Sequence, residues 1–568
     1  MNSEAWYRFY GNTPHHLEYP EKCMYEMVAS AASRYPGNKA YDFMGNSKNY
    51  RDFVAEIDLC AKALLAEGVK SGDKVTICLP NTPQAITMLY AINKIGAVAN
   101  MVHPLSAENE ILFYLTVSES VMAITLTDFY KKFESLKGKT KLKKVIVTKI
   151  GEALPPIKGF AYKFIGHERI VKTADDVITY KDFMNGGKAY TGEIPSLPDC
   201  NDTAAILYSG GTTGTSKGIL LTNMNFNALA IQTAAAAGCF CAGDVMLSAM
   251  PVFHGFGLGV CIHTMLCAGG TCALIPRVDV KEFAGNIKKY RPNYMAGVPT
   301  LFEAMMRSEG MKDADLSCFK GVFSGGDSLS VSLKKKVDAF LKEHGANIQV
   351  REGYGLTECV TASCLTPADY YREGSIGVPF PDVYYKIVIP DTFDEAPVGE
   401  LGEICISGPT LMAGYLNEPK ETAKTLQIHE DGRTWLHTGD LGYMDGDGFV
   451  YFKQRLKRMI VTSGYNVYPS QIENVIDSHE AVMLSTVIGV KDDYRMQKIK
   501  AFIVLKPGFE ATDEVKASIK ELCEKNIAKY ALPREYEYRD SLPKTLVGKV
   551  AYKELEKEEN EKVAGLKC

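Results

Sequence analysis

A chain of 568 residues is too long for a single hydrophobic core, so at least two domains are expected. Its 64 basic and 68 acidic side chains leave a formal charge of −4, which removes any global electrostatic reason to expect nucleic acid as a partner. No stretch approaches the roughly eighteen uninterrupted apolar residues that span a bilayer, and the opening MNSEAWYRFYGNTPHHLEYPEK lacks the apolar run of a secretory signal. The fifteen cysteines show no paired C-x-x-C spacing; Cys239 and Cys241 come closest, while Cys261 and Cys267 lie in apolar runs where a thiol acts as a small hydrophobe. A reducing cytoplasm is the expected compartment.

From about residue 20 to 350 helical patterns alternate with short apolar strands. KVTICLP (74–80), a helix through TPQAITMLYAINKIG, AVANMV (97–102), a helix from Ala107 and VMAITLTD (121–128) form one series. VMLSAM (245–250), TCALI (271–275), NYMAGV (293–298), GVFSGG (321–326), the helix VSLKKKVDAFLKEHG and the strand IQVREGYG form a second. Such alternation predicts α/β architecture with two helix-covered, duplicated sheets. Between the series, KKFESLKGKTKLKK (131–144) carries seven lysines, a run expected to be solvated surface rather than an anion site. Beyond about 380, YYKIVI (384–389), GEICIS (402–407) and GFVYFKQR (448–455) predict a small, distorted, barrel-like β layer. The last hundred-odd residues read as a smaller, compact and separable α+β domain ending in a solvated helical tail, KELEKEENEK. The boundary is placed at Lys457, giving domains 1–456 and 457–568.

YSGGTTGTSKG (208–218) raises the question of chemistry. It fails the ATPase and GTPase template G-x-x-x-x-G-K-[ST], because Ser216 precedes Lys217 and Gly218 follows it. The flanks AAILY (204–208) and GILLT (218–222) predict a strand-to-strand connection, with a helix from Asn223 to a stop at Gly238. A flexible Ser/Thr/Gly linker is the bland reading. Clamped between two apolar strands, the loop reads better as a phosphate cradle: glycine amides approach an anion closely, hydroxyls donate, and the lysine adds charge.

REGYGLTE (351–358), LHTGDLGY (436–443), FKQRLKRMIVTSGYNVYPSQIE (452–473) and LPKTLVGKV (542–550) follow in that order, with PVFHGFG (251–257) and GEICISGPTLMAGYL (402–416). Together these motifs resemble the adenylate-forming superfamily of acyl-CoA synthetases, firefly-luciferase-like enzymes and peptide-synthetase adenylation domains, over nearly the whole chain. The resemblance implies that a carboxylate attacks the α-phosphate of ATP, releasing pyrophosphate, and that a thiol then displaces AMP from the acyl-adenylate. Because both first-step reactants are anions, such a site must supply positive charge and fixed geometry.

Carried over residue by residue, the resemblance implies that Ser209, Gly210, Gly211, Thr212, Thr213, Gly214, Thr215 and Lys217 hold phosphates. It implies Glu358, with Thr212, as ligands of Mg²⁺. Tyr354 would stack on adenine beside Gly325, Gly326, Gly355 and Thr357, and Asp440 and Arg455 would hold the ribose. Lys549 would bridge the substrate carboxylate and α-phosphate during adenylation. After rotation about a hinge at Lys457, Ser463 and Gly464 would replace it for thioester formation with coenzyme A, and His254 would gate thiol and acyl access. The acyl pocket would draw on His254, Phe256, Gly297, Val298, Ser324, Gly353 and Cys359. Its small residues leave room for a medium- or long-chain fatty acid or another bulky hydrophobic acid.

The chain departs from the family pattern at Val461, where many relatives carry lysine, at Asp327 in GGDSL, and at Gln454 before Arg455. The leading expectation is a stand-alone carboxylate–CoA ligase using ATP, Mg²⁺ and coenzyme A, since the chain ends about twenty residues after Lys549. The enzyme would be cytoplasmic, or peripheral to a membrane if its acid is long-chained. A ligase charging a separate carrier protein, a luciferase-like oxidase and a catalytically silent nucleotide-binding protein are the alternatives.

Overall fold

A computed structural model describes residues 5–159, 171, 173–209, 216–238, 240–462, 465–492, 496–544 and 550–565. The expected strand–helix alternation folds into two large sheets with parallel centres. One has eight strands in the order Gly414–Tyr415, Lys217–Thr222, Thr203–Ser209, Val98–Met101, Lys74–Cys78, Met122–Leu126, Lys144–Thr148 and Val177–Thr179. Every residue of Met122–Leu126 is buried, as a strand covered on both faces requires. The other has nine strands, and its parallel run from Val350–Tyr354 through Gly321–Ser324, Tyr294–Gly297, Val245–Ser248 and Thr271–Leu274 ends on Lys39–Phe43. The N-terminal hairpin Lys39–Asn49 thus supplies the last two strands of a sheet otherwise built from residues beyond 240.

Local chemistry sets the helix limits. Helix Asn223–Ala237 starts where the Thr222 hydroxyl accepts the Asn225 N–H and stops at Gly238, whose φ of +91° only glycine adopts freely. Helix Pro83–Lys94 opens on proline behind a Thr82 cap and is buried from Pro83 to Asn93, with polar Gln84, Thr87 and Asn93 buried among its apolar residues.

The chain divides into two compact units. The first comprises Met1–Leu329, Leu333–Tyr385 and Ile406–Leu436; the second comprises Ser330–Ser332, Lys386–Cys405 and His437–Cys568. Both large sheets belong to the first. The small β layer forms a five-stranded sheet of Tyr384–Val388, Gly402–Ser407, Thr434–Met444 and Leu426–Ile428, with Val450–Arg455 antiparallel to Thr434–Met444.

The second unit also holds the long antiparallel pair Val482–Asp492 and Met496–Leu505, with Glu535–Tyr538 parallel to the latter. Alternate residues feed opposite cores: Val487, Ile499, Ala501 and Ile503 pack with Ile472, Ile476 and Ile519, whereas Ile488, Phe502 and Val504 pack with Leu542 and Leu555. This corrects the solvated-tail expectation for the terminal helix, Tyr552–Gly565. Leu555 is fully buried, and Glu559 accepts from the buried Lys500 ammonium at 2.8 Å, so one face of that charged segment is core.

The lysine run behaves as surface: Lys137 pairs with Asp176, Lys141 with Glu119 and Lys144 with Glu67. The cysteines among the described residues are free thiols, and no helix among them is long and apolar enough to cross a membrane.

Candidate active site

In the first unit, three predicted pocket residues meet at the carboxyl ends of parallel strands, where α/β sheets place their ligands. Gly297 is the Cα partner of Ser324, and Ser324 of Glu352, the residue before Gly353. The ladder continues as the Gly325 N–H donates to the Gly297 carbonyl at 3.1 Å, after which Gly326, at φ +81°, turns the chain beside Val298. A Cβ on Gly325 would lie 3.4 Å from the Phe256 ring and 3.5 Å from the Gly353 carbonyl, so both predicted pocket residues flank it. Tyr354 ends the adjoining strand. The Ser324 hydroxyl is buried with no hydrogen-bond partner among the described residues, which leaves it available to a ligand.

His254 accepts the Phe256 N–H on Nδ1 at 3.2 Å, which makes Nε2 the donor of the neutral ring. The glycines of PVFHGFG have a steric basis: a Cβ on Gly257 would fall 2.1 Å from the Pro251 carbonyl oxygen. Cys359 is buried, and burial pushes its thiol up to about 12, so it packs rather than reacts.

Burial likewise pushes the Glu352 carboxyl up to about 8, with Asp327 adding to the shift and the Leu329 N–H and Lys334 opposing it. Of the departures from the family pattern, Asp327 is exposed and accepts the Ser328 N–H, Gln454 is buried opposite Leu441, and the Val461 N–H donates to Gln497.

Ser209 and Lys217 are direct Cα partners across the strands that close the glycine loop. The Lys217 ammonium lies 2.7 Å from Glu421 Oε2 and 4.6 Å from the centre of the Tyr415 ring. Its contact, with a second bond from Lys424, holds the Glu421 carboxyl down to about 2. The Tyr415 hydroxyl donates to Glu358 Oε1 at 2.9 Å. Tyr415 therefore joins the predicted phosphate lysine to the predicted metal carboxylate.

Glu358 lies in the turn Thr357–Cys359, followed by Val360 and Thr361 at φ +53° and +86°. Two consecutive β-branched residues in the left-handed region are strained, and the turn is held by the Thr361 N–H on the Leu356 carbonyl at 2.7 Å. Gly355 makes that fold-back possible, because a Cβ there would sit 2.2 Å from the Thr361 carbonyl oxygen. Glu358 is a hard oxygen donor suited to Mg²⁺, and Tyr415 engages only one of its two oxygens.

In the second unit, Asp440 and Arg455 are Cα partners on antiparallel strands, with Arg455 Nε 3.2 Å from Asp440 Oδ1. Asp440 is 1% exposed. The motifs that carry the family resemblance also hold Glu403 and His437, to which that resemblance assigns no role and which bond each other at 2.9 Å. The one signal for them is a glutamate in GEICIS and a histidine in LHTGD.

Gly210, Gly211, Thr212, Thr213, Gly214, Thr215, Ser463, Gly464 and Lys549 lie outside the described residues. The ends of the segment carrying Lys549 are described: Lys544 bridges Val550, and the Ala551 N–H donates to the Pro543 carbonyl. Lys457 falls within the 3₁₀ turn Leu456–Arg458.

A family model described as AMP-binding enzyme matches residues 28–416, and one described as AMP-binding enzyme C-terminal domain matches residues 471–549. The chain is 34% identical to a long-chain-fatty-acid–CoA ligase of Bacillus subtilis (strain 168), covering 99% of each. It is 33% identical to a long-chain-fatty-acid–CoA ligase of Salmonella typhimurium, covering 95% of each. Among solved structures it resembles ATP-bound MatB from Rhodopseudomonas palustris, with a TM-score of 0.82 at 24% identity, over 94% of this chain and 99% of that one.

Proposed function

Because the chain belongs to the AMP-binding enzyme family, we propose that it is an ATP-dependent carboxylate–CoA ligase acting on medium- or long-chain fatty acids. The observation that carries this reading is the 34% identity to a long-chain-fatty-acid–CoA ligase across 99% of both chains.

The acid's carboxylate oxygen attacks the α-phosphorus of ATP and pyrophosphate leaves; the coenzyme A thiolate then attacks the acyl carbonyl carbon and AMP leaves. Lys217 exchanges its Glu421 partner for the β- and γ-phosphates, together with the loop Ser209 to Thr215. Glu358 would hold Mg²⁺, whose charge offsets that of the triphosphate, with Thr212 as a second oxygen. Gly325, Gly326, Tyr354, Gly355 and Thr357 receive adenine, while Asp440 accepts from the ribose and Arg455 donates to it. Lys549 neutralises the substrate carboxylate and α-phosphate as charge redistributes. Residues 457–568 rotate about Lys457 between the two steps, so that Ser463 and Gly464 serve the second, with His254 at the thiol and acyl entrance. The acyl chain runs past Phe256, Gly297, Val298, Ser324, Gly353 and Cys359. The location is cytoplasmic.

The test is AMP and pyrophosphate release from Mg–ATP across acetate, benzoate, octanoate, palmitate, a cinnamate and a steroid acid, with and without coenzyme A. Catalytic AMP release only with coenzyme A, and best with octanoate or palmitate, is expected. Pyrophosphate exchange indifferent to coenzyme A would move the reading to a carrier-protein ligase. Acetate as the best acid by a wide margin would overturn the fatty-acid assignment.

A further inference from the structure

Glu403 and His437 belong to the two motifs GEICIS and LHTGD, and neither carries a role in the reaction as described above. Glu403 is buried in the second unit, at 8% exposure, and the His437 side chain is about nine-tenths covered. A carboxylate in such a place is costly unless its oxygens are bonded. Here both are: Oε1 accepts the Gly439 N–H at 2.8 Å, and Oε2 meets His437 Nδ1 at 2.9 Å. Thr438, between them, donates its hydroxyl to the Ile404 carbonyl at 2.6 Å and accepts the Asp440 N–H at 3.0 Å. Gly439 stands at φ +68°, a left-handed turn that throws the chain from Thr438 to Asp440. The backbone on the N-terminal side of Asp440 is therefore tied to the strand Gly402–Ser407 through three side chains, those of Glu403, His437 and Thr438.

We infer that Glu403, His437 and Thr438 are positioning residues for Asp440: they set where its carboxylate stands and thereby how well the enzyme distinguishes a ribose bearing both hydroxyls. This rests on the proposed role of Asp440. A hydrogen bond to a charged acceptor is directional, so displacing the carboxylate by a few tenths of an ångström weakens it even when the charge remains. Cys405 adds a thiol 3.6 Å from His437 Nδ1, and the donor atoms of Glu403, Cys405 and His437 lie within 4.8 Å of one another, a spacing one ion could bridge. With both Glu403 oxygens already engaged by protein donors, the hydrogen-bonded arrangement is the one the geometry favours.

The experiment compares kcat/KM for ATP with that for 2′-deoxy-ATP and 3′-deoxy-ATP in wild type, Asp440→Ala, Glu403→Ala, His437→Ala and the near-isosteric Thr438→Val. The wild type should prefer ATP over at least one analogue by about tenfold or more, the effect of losing a bond to a charged group. In Asp440→Ala that preference should collapse. In Thr438→Val and Glu403→Ala it should fall at least threefold, with Glu403→Gln recovering much of it because the amide oxygen still accepts the Gly439 N–H. Adding Glu403→Ala to Asp440→Ala should not lower the preference further. A purely structural role would reduce turnover with all three nucleotides alike and leave the ratios intact, and that result overturns the inference. Thr438→Val keeps the test available if Glu403→Ala fails to fold. A wild type indifferent to both ribose hydroxyls would instead remove the ribose role of Asp440 itself. One equivalent of zinc retained by the wild type through dialysis and absent from Cys405→Ser would also overturn the inference, making the cluster a metal site.

Discussion

The Tyr415 hydroxyl donates to the Glu358 carboxylate at 2.9 Å. The face of the same ring carries the Lys217 ammonium at 4.6 Å. Burial, and next the Glu358 charge, raise the phenol far above its ordinary value, so it remains a donor at any physiological pH. One side chain thus fixes one oxygen of the proposed metal ligand and offers a cation–π surface to the proposed phosphate ligand.

Replacing Tyr415 by Phe separates these functions. The ring under Lys217 persists, while Glu358 loses its donor and gains rotamer freedom. The Mg²⁺ concentration for half-maximal adenylation is expected to change severalfold, and kcat/KM for ATP to fall about tenfold, equivalent to about 1.4 kcal/mol. Tyr415→Leu, which also strips the ring from Lys217, should fall further. Steady-state kinetics across a magnesium titration distinguish the two; equal behaviour of both variants would mean that the hydroxyl is irrelevant.

Gly355→Ala places a Cβ 2.2 Å from the Thr361 carbonyl oxygen and 2.6 Å from its carbon, both backbone atoms with no room to yield. The strained turn after Glu358 must then open. A loss of adenylation above a hundredfold is expected, with a lowered melting temperature; near-wild-type activity would show that the position of Glu358 does not depend on this fold-back.

Glu352 gives stability a pH dependence whose sign is set by its raised carboxyl. Between its ordinary 4.5 and about 8 the folded chain keeps a proton that the unfolded chain releases, so stability falls as pH rises through that window. The slope from this group is at most about 1.4 kcal/mol per pH unit. Glu352→Gln, which can still accept the Leu329 N–H, should flatten denaturation midpoints between pH 5 and 8 and exceed wild-type stability at pH 8. An unchanged pH profile would place the Glu352 carboxyl back in the ordinary range.

Lys549→Ala is expected to slow acyl-adenylate formation by about a hundredfold to a thousandfold. Thioester formation from supplied acyl-AMP should stay within a fewfold of wild type. Measuring both half-reactions decides the matter: equal loss in both would rule out alternation between two arrangements.

Short-range pattern made much of this chain legible. The alternation of apolar runs with helical periodicity marked the strands Lys74–Cys78, Met122–Leu126 and Gly321–Ser324 and the helix Asn223–Ala237 within a few residues. Backbone periodicity and capping are local physics, written in adjacent residues. Motif order likewise singled out Lys217, Glu358, Asp440 and Arg455, through the family resemblance that the motifs carry together. The partners were another matter. Tyr415 reaches Glu358 across 57 positions, His437 reaches Glu403 across 34, and Lys500 binds Glu559 across 59, burying a helix whose composition reads as solvated. These contacts depend on which strands become neighbours, and strand order is set by burial summed over whole sheets. By itself the sequence determined the chemistry available to this protein; only the tertiary structure decided which side chains hold that chemistry in place.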